Sequence, residues 1–139
     1  MQSSANKKLI SIVIPVFNEE ENITNAFEAI NSVITKMQDR YEYEFIFTDN
    51  HSTDNSYKIL ESLSFAHKNV KVLCFSRNFG YQKSYLTGLI HAQGYAAIQI
   101  DCDLQDPPEL IPDFIKYWEK GNKVVFGIRE SRQENYFIN

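Results

Sequence analysis

The sequence predicts an α/β fold built on a mostly parallel sheet with flanking helices. Two observations carry this. Five apolar runs alternate with four helical patterns along 139 residues, which is the order that builds parallel sheets. The first run is continuous and β-branched, as in a strand covered on both faces. The length suits one globular domain with its own core.

Taken in order, Leu9–Val16 reads as the first strand, and Asn18–Glu21 opens a helix running to about Gln38. Glu19, Glu20 and Glu21 then fall in its first turn, where the positive helix end favours them. Tyr43–Thr48 is the second strand, with Ser52 as N-cap of a helix from Thr53 to about Ala66. Val70–Phe75 is the third strand. Gly80 supplies a sharp turn into a helix that runs to Gln93 and stops at Gly94. Tyr95–Ile100 is the fourth strand. Asp106-Pro107-Pro108-Glu109 starts the last helix, Asp106 as cap, Pro107 in the first helical position and Glu109 completing a capping box. Gly121 ends that helix, Lys123–Ile128 is a fifth strand, and the tail from Arg129 is polar.

Composition narrows the function classes. Hydrophobic residues make up 43% and the formal charge is -4, so the chain is neither disordered nor basic enough for a nucleic-acid surface. A bound cation can still reverse the local sign for one phosphorylated ligand. Cys74 and Cys102 sit in apolar runs and read as buried thiols, with no disulfide or zinc spacing. No apolar run reaches the roughly 18 residues of a membrane span. The run LISIVIPVF contains Pro15 and leads into glutamates without a cleavage pattern, so it is not a signal peptide.

In open α/β sheets ligands bind beyond the carboxyl ends of the strands, at a switch in strand order. Polar and acidic residues collect there: Asn18 and Glu19 after strand one, Asp49, Asn50 and His51 after strand two, Asp101 and Asp103 after strand four. If strand four continues through them, Asp101 and Asp103 point the same way. Two adjacent carboxylates repel, and a hard divalent cation, Mg²⁺ or Mn²⁺, relieves that while sharing its coordination with substrate phosphates. Asp49 suits the N–H groups of a base edge, or else caps its own loop. His51 reads as a turn residue. Arg77 offers forked donors to a phosphate or the acceptor; a surface ion pair is the alternative. Lys83 reads as a solvated helix residue.

Taken together, SIVIPVFNEEENI, FTDNHSTDNS, FSRNFGYQKSYLTGLIHAQG, DCDLQDPPELIPDFIKYWEKG and VVFGIRESR resemble the family 2 glycosyltransferases, in family order and over almost the whole chain. The likeness is strongest to bacterial polyprenyl-phosphate sugar transferases and to enzymes similar to dolichol-phosphate mannose synthase. The resemblance implies a Rossmann-like GT-A nucleotide-diphospho-sugar transferase fold, of which this chain is the N-terminal portion. It implies that Pro15, Phe17 and Glu19 lie at the base and ribose end of a nucleotide pocket and that Asp49 reads the nucleobase. Asp101 and Asp103 become the D-x-D carboxylates at the diphosphate and metal, with Asp103 nearer the cation. Gln105 and Asp106 face the sugar or acceptor. It further implies an inverting single displacement, a nucleotide-sugar donor with UDP favoured, and a polyprenyl-phosphate acceptor at the cytoplasmic side of a membrane. The family's second catalytic half and membrane segments would lie beyond Asn139, and the chain's exposed sheet edge leaves self-association open.

This sequence departs from the family at TDNHSTD, where Asn50 and His51 stand in place of the usual acid and glycine. A nucleotidyltransferase of related fold would carry a glycine-rich basic loop where this chain has VFNEEEN. A receiver-like regulatory module fits acidic strand ends but gives no reason for SRNFG or LQDPPEL.

Overall fold

The computed structural model describes residues 6–128. A four-stranded sheet, ordered β3-β2-β1-β4, is parallel throughout. Its strands are β1 (Lys8–Val16), β2 (Tyr41–Asp49), β3 (Val70–Cys74) and β4 (Ala96–Gln99). Between them run α1 (Ile23–Thr35), α2 (Ser56–Ala66) and α3 (Tyr81–His91), and a single 3₁₀ turn at Pro108–Leu110 leads into α4 (Ile111–Glu119).

The pleat sorts the residues of β1 and β2 between the two faces. Ile10, Ile12, Ile14 and Val16 of β1 join Phe45 and Phe47 of β2 in the main core. This face is covered by α1, α2 and α4, through Ile23, Phe27, Ile30 and Ile34, then Leu60, then Ile111 and Ile115. The α1 positions recur at three- and four-residue spacing, and each fully buried aliphatic side chain contributes on the order of 2 kcal/mol. The opposite face receives α3. There Thr48 and Ser84 hydroxyls lie 2.9 Å apart, and Gly88 packs so closely on Val13 and Thr48 that a Cβ would collide with Val13.

This division explains the strand order. The chain steps from β1 to β2 to β3 with helices on one face. It then uses α3 on the other face to return past β1 and lay down β4. The strand order reverses between β1 and β4, the position at which open α/β sheets bind ligands beyond the carboxyl ends of their strands.

Several local expectations change. The three glutamates precede α1 instead of entering it: the main-chain carbonyl of Glu19 accepts from Asn22 N at 2.9 Å and Ile23 N at 3.1 Å, delaying the helix to Ile23. Ser52 is not the cap of α2, whose N-cap is Asn55. The N-cap position falls on Pro107 and not on Asp106, and the prolines first impose a 3₁₀ turn. Among the described residues Lys123–Ile128 pairs with no strand. Its apolar spelling supplies propensity, but a strand requires a partner edge in hydrogen-bonding register, and Val124, Phe126 and Ile128 are 78%, 74% and 78% exposed. Cys102 is buried as expected, whereas Cys74, at the strand end, is exposed. The polar tail from Arg129 lies outside the described residues.

Candidate active site at the strand carboxyl ends

Backbone register sets the level of the rim. Val16 pairs with Asp49, and Asp49 with Cys74, so three strands end together. On the other side of β1, Gln99 pairs with Val13, and Ile100 N donates to the Val13 carbonyl at 3.1 Å. The residues after Ile100 therefore draw level with the end of β1. Asp49 and Asp101 stand on one edge of the sheet on either side of β1, roughly 10 Å apart at two strand spacings. Asp49 continues the Phe45–Phe47 side of the pleat, whereas Asp101 continues the Gln99 side, facing α3.

Asp101 and Asp103 do not lie on a continuing strand. Leu104 N donates to the Asp101 carbonyl at 3.2 Å, and Leu104 takes φ 53°, so the chain turns at Asp101. Asp103 is exposed on that turn and accepts from Gln105 N at 3.3 Å. Between the two acids Cys102 is buried, and its thiol is pushed up to about 12 by burial and then by the charges of Glu19, Asp103 and Asp101. That combination brings Glu19, from the β1 loop, into the same electrostatic neighbourhood as both aspartates.

The first two loops are sewn together. Asn18 takes φ 50° and turns its Oδ1 to accept from Thr53 N at 2.8 Å and Asp54 N at 3.3 Å. Ser52 Oγ accepts from Asn18 N at 2.9 Å and donates to Asp49 Oδ1 at 2.5 Å. Glu19 N donates to Ser56 Oγ at 2.9 Å, and Glu20 Oε2 accepts from Asn55 N at 2.9 Å. Asp49, 1% exposed, thus braces its own loop, the alternative weighed from sequence, while standing at the predicted edge.

The third loop is tied to the second by Asn50, which donates to Asn78 Oδ1 at 2.9 Å and accepts from Phe79 N at 2.8 Å. His51 occupies the left-handed region at φ 61°, and its Nδ1 lies 3.2 Å from the Phe75 carbonyl oxygen. Arg77 is exposed, its guanidinium 4.5 Å from the Phe79 ring centre. Gly80 adopts φ 90° and releases α3, as its position predicts.

The remaining residues divide by exposure. Pro15 is buried within β1, whereas Phe17, one step beyond the strand, is 46% exposed. Gln105 is exposed and Asp106 half-buried beyond the turn. A cavity of about 700 Å³ lies beside the rim between β4, α4 and residues 122–128. It shares Gln99 and Asp106 with the rim, but Asp49, Asp101 and Asp103 do not line it.

The carboxylates at this rim that could serve a cation are Asp101 and Asp103. Among the described residues no group of three or more His, Cys, Asp or Glu side chains is arranged to enclose one. Two hard carboxylates without a closed cage suit Mg²⁺ or Mn²⁺, ions that complete their shell with substrate phosphates and water. Sequence reasoning misses Tyr81 and Gln99, both hydrogen-bonded to Asp101 Oδ1. The spacing of Gln99, two residues before Asp101 and so on the same side of the strand, was the available signal.

Known proteins share this architecture. The glycosyl transferase family 2 model matches residues 11–139. The glycosyltransferase YkcC of Bacillus subtilis (strain 168) is 42% identical over 128 residues, covering 92% of this chain and 39% of that protein. The bactoprenol glucosyl transferase of Shigella phage SfV is 40% identical over 123 residues, covering 88% and 39%. An undecaprenyl-phosphate 4-deoxy-4-formamido-L-arabinose transferase of Proteus mirabilis (strain HI4320) is 38% identical over 129 residues, covering 92% and 39%. The chain spans about two-fifths of the length of these curated relatives. Among solved structures, residues 1–349 of S. aureus TarS superpose with a TM-score of 0.66 at 24% identity, over 80% of this chain and 32% of that one. The mannosyltransferase PcManGT from Pyrobaculum calidifontis, in complex with GDP-Man and Mn²⁺, gives 0.67 at 18% identity, over 80% and 32%. A parallel sheet reversing direction between two acid-bearing strand ends, a family model spanning nearly the whole chain and these superpositions agree: the chain has the GT-A fold and belongs to glycosyl transferase family 2.

Proposed function

We propose that this protein supplies the donor-binding part of an inverting transferase moving a sugar from a nucleoside diphosphate, UDP favoured, to a polyprenyl phosphate. The observation that carries the reading is the switch in strand order between β1 and β4, with Asp49 at the end of β2 on one side of β1 and Asp101, followed by Asp103, on the other. Pro15, Phe17 and Glu19 serve the base and ribose end, Asp49 the base edge, Arg77 a phosphate, and Gln105 with Asp106 the sugar or acceptor side. Support for the acceptor comes from relatives whose names specify bactoprenol and undecaprenyl phosphate. A membrane-bound acceptor puts the reaction at a membrane surface, on the cytoplasmic side in this reading. Among the described residues no helix is long and apolar enough to cross a membrane.

In this reaction a lipid phosphate oxygen attacks the anomeric carbon from the face opposite the diphosphate, and the nucleoside diphosphate leaves. The attacking monoester is already largely ionised, its second pKa being about 6, so no strong base is required of the protein. Asp101 and Asp103 would hold Mg²⁺ or Mn²⁺, which when bound supplies Lewis-acid stabilisation of the leaving charge. The side chains of the chain itself orient the donor, and orientation carries much of the rate. The prediction is nucleotide binding by this chain with little transfer on its own.

Titration calorimetry with UDP, UDP-sugars and GDP-sugars, with and without Mn²⁺, tests this. Metal-dependent heat that Asp103→Asn weakens at least tenfold is the expected result. Absence of heat with every donor would remove the reading, and rapid transfer by this chain alone would contradict the division of labour.

A further inference from the structure

Tyr81 stands on the first turn of α3, on the sheet face to which Gln99 and Asp101 belong. Its phenol donates to Asp101 Oδ1 at 2.7 Å. Gln99 Nε2 donates to the same carboxylate oxygen at 3.0 Å and also to the Tyr81 phenol oxygen. The three groups close a triangle whose bonds to the acid both fall on Oδ1 and leave Oδ2 outside it. Each corner is set by the fold. Gln99 is held in the β4 ladder opposite Val13. Tyr81 is indexed through Asn78 and Asn50, because Gly80 N donates to Asn78 Oδ1 at 2.8 Å and Phe79 N to Asn50 Oδ1 at 2.8 Å. Tyr81 is 52% exposed, so its hydroxyl serves this contact and not core packing.

We propose that Tyr81, with Gln99, is a positioning residue for Asp101, fixing the rotamer of that carboxylate so that Oδ2 faces the donor's diphosphate and its cation. The inference deepens the donor-site reading and rests on it. A carboxylate after a strand end otherwise rotates freely, and each bond that pins it lowers the entropy lost when the ligand binds. Tyr81 thereby couples the start of α3, and through Asn78 the β2 loop, to Asp101.

The test is a double-mutant cycle on Mn²⁺-dependent UDP binding, measured by calorimetry with Mn²⁺ and UDP as probes. Tyr81→Phe keeps the ring, so its thermal melt should match that of the original protein while affinity falls about 5-fold. In an Asp101→Asn background the same change should have no further effect. Gln99→Leu should behave like Tyr81→Phe. Undiminished affinity in Tyr81→Phe, or an equal loss in the Asp101→Asn background, overturns the positioning role even while Asp101→Asn itself binds poorly. If Asp101→Asn binds as tightly as the original protein, the donor-site reading falls, and the inference with it.

Discussion

Asn18 Oδ1 accepts the backbone N–H of Thr53 at 2.8 Å, joining the loop that leaves β1 to the loop that leaves β2. The same oxygen accepts from Asp54 N at 3.3 Å, and the residue holds a left-handed φ of 50°. One asparagine therefore satisfies two needs, a tolerated left-handed backbone and a side-chain acceptor for loop amides. Separating these needs gives a graded prediction. Asn18→Gly keeps the backbone and loses the acceptor, costing about 1 kcal/mol, whereas Asn18→Ala loses both and costs about 2 kcal/mol. Urea unfolding measures the order; equal stability of all three proteins would show that the clasp contributes nothing.

His51 supplies a second left-handed position, φ 61°. Histidine tolerates this region better than branched residues do. His51→Gly should stay within about 1 kcal/mol of the original stability, since relief of backbone strain offsets the lost contact to the Phe75 carbonyl. His51→Val should cost about 2 kcal/mol. Thermal melts of the pair decide between a backbone role for this residue and a chemical one. A stable His51→Gly protein that has lost UDP binding would identify a ligand contact.

Glu44 is 4% exposed at the opposite end of the sheet, where it accepts from Ser11 Oγ at 2.6 Å, Gln93 N at 2.8 Å and Lys71 Nζ at 2.7 Å. Burial raises its pKa, but the hydrogen bonds from Lys71, Ser11 and Gln93 outweigh that and bring it below the ordinary 4.5. A depressed carboxylate contributes stability above its unfolded pKa and loses it as pH falls through the folded value. Glu44→Leu should cost about 3 kcal/mol at pH 7, because Ser11 and the Gln93 amide lose their acceptor in the interior. Glu44→Gln should be less stable than the original at pH 7, and the gap should narrow as pH drops below about 4. Chemical unfolding at the two pH values checks the sign; a gap that widens in acid would contradict it.

The two thiols should differ in reactivity. Cys74 is exposed, though partial burial and the neighbouring Asp49 raise its pKa. Cys102 is 3% exposed and raised further, to about 12. Iodoacetamide at pH 8 should therefore modify Cys74 slowly and leave Cys102 untouched until urea unfolds the chain, since only the thiolate reacts. Peptide mass mapping reads both sites, and early labelling of Cys102 would mean that the turn between Asp101 and Asp103 opens in the native state.

The sequence by itself determined the α/β alternation and the acids at the carboxyl ends of the strands; of the five strands it predicts, four pair among the described residues. These signals are local: β-branched runs at Leu9–Val16 and Val70–Phe75, and polar residues immediately after them. It also determined the family, because several short motifs in fixed order are jointly specific although each is not. Tertiary structure decided the rest. Lys123–Ile128 has a strand's composition without a paired edge among the described residues, and pairing is a property of two segments. Asp101 and Asp103 satisfy the alternation rule on paper, yet the turn at Leu104 ends that alternation. Which strand stands beside which, and hence which loops meet, depends on α3 crossing the opposite face to place β4 against β1. Asn18 with Thr53, and Tyr81 with Asp101, lie 35 and 20 residues apart. No periodicity reaches that far, because such pairs exist only once the sheet has brought separate loops to one edge.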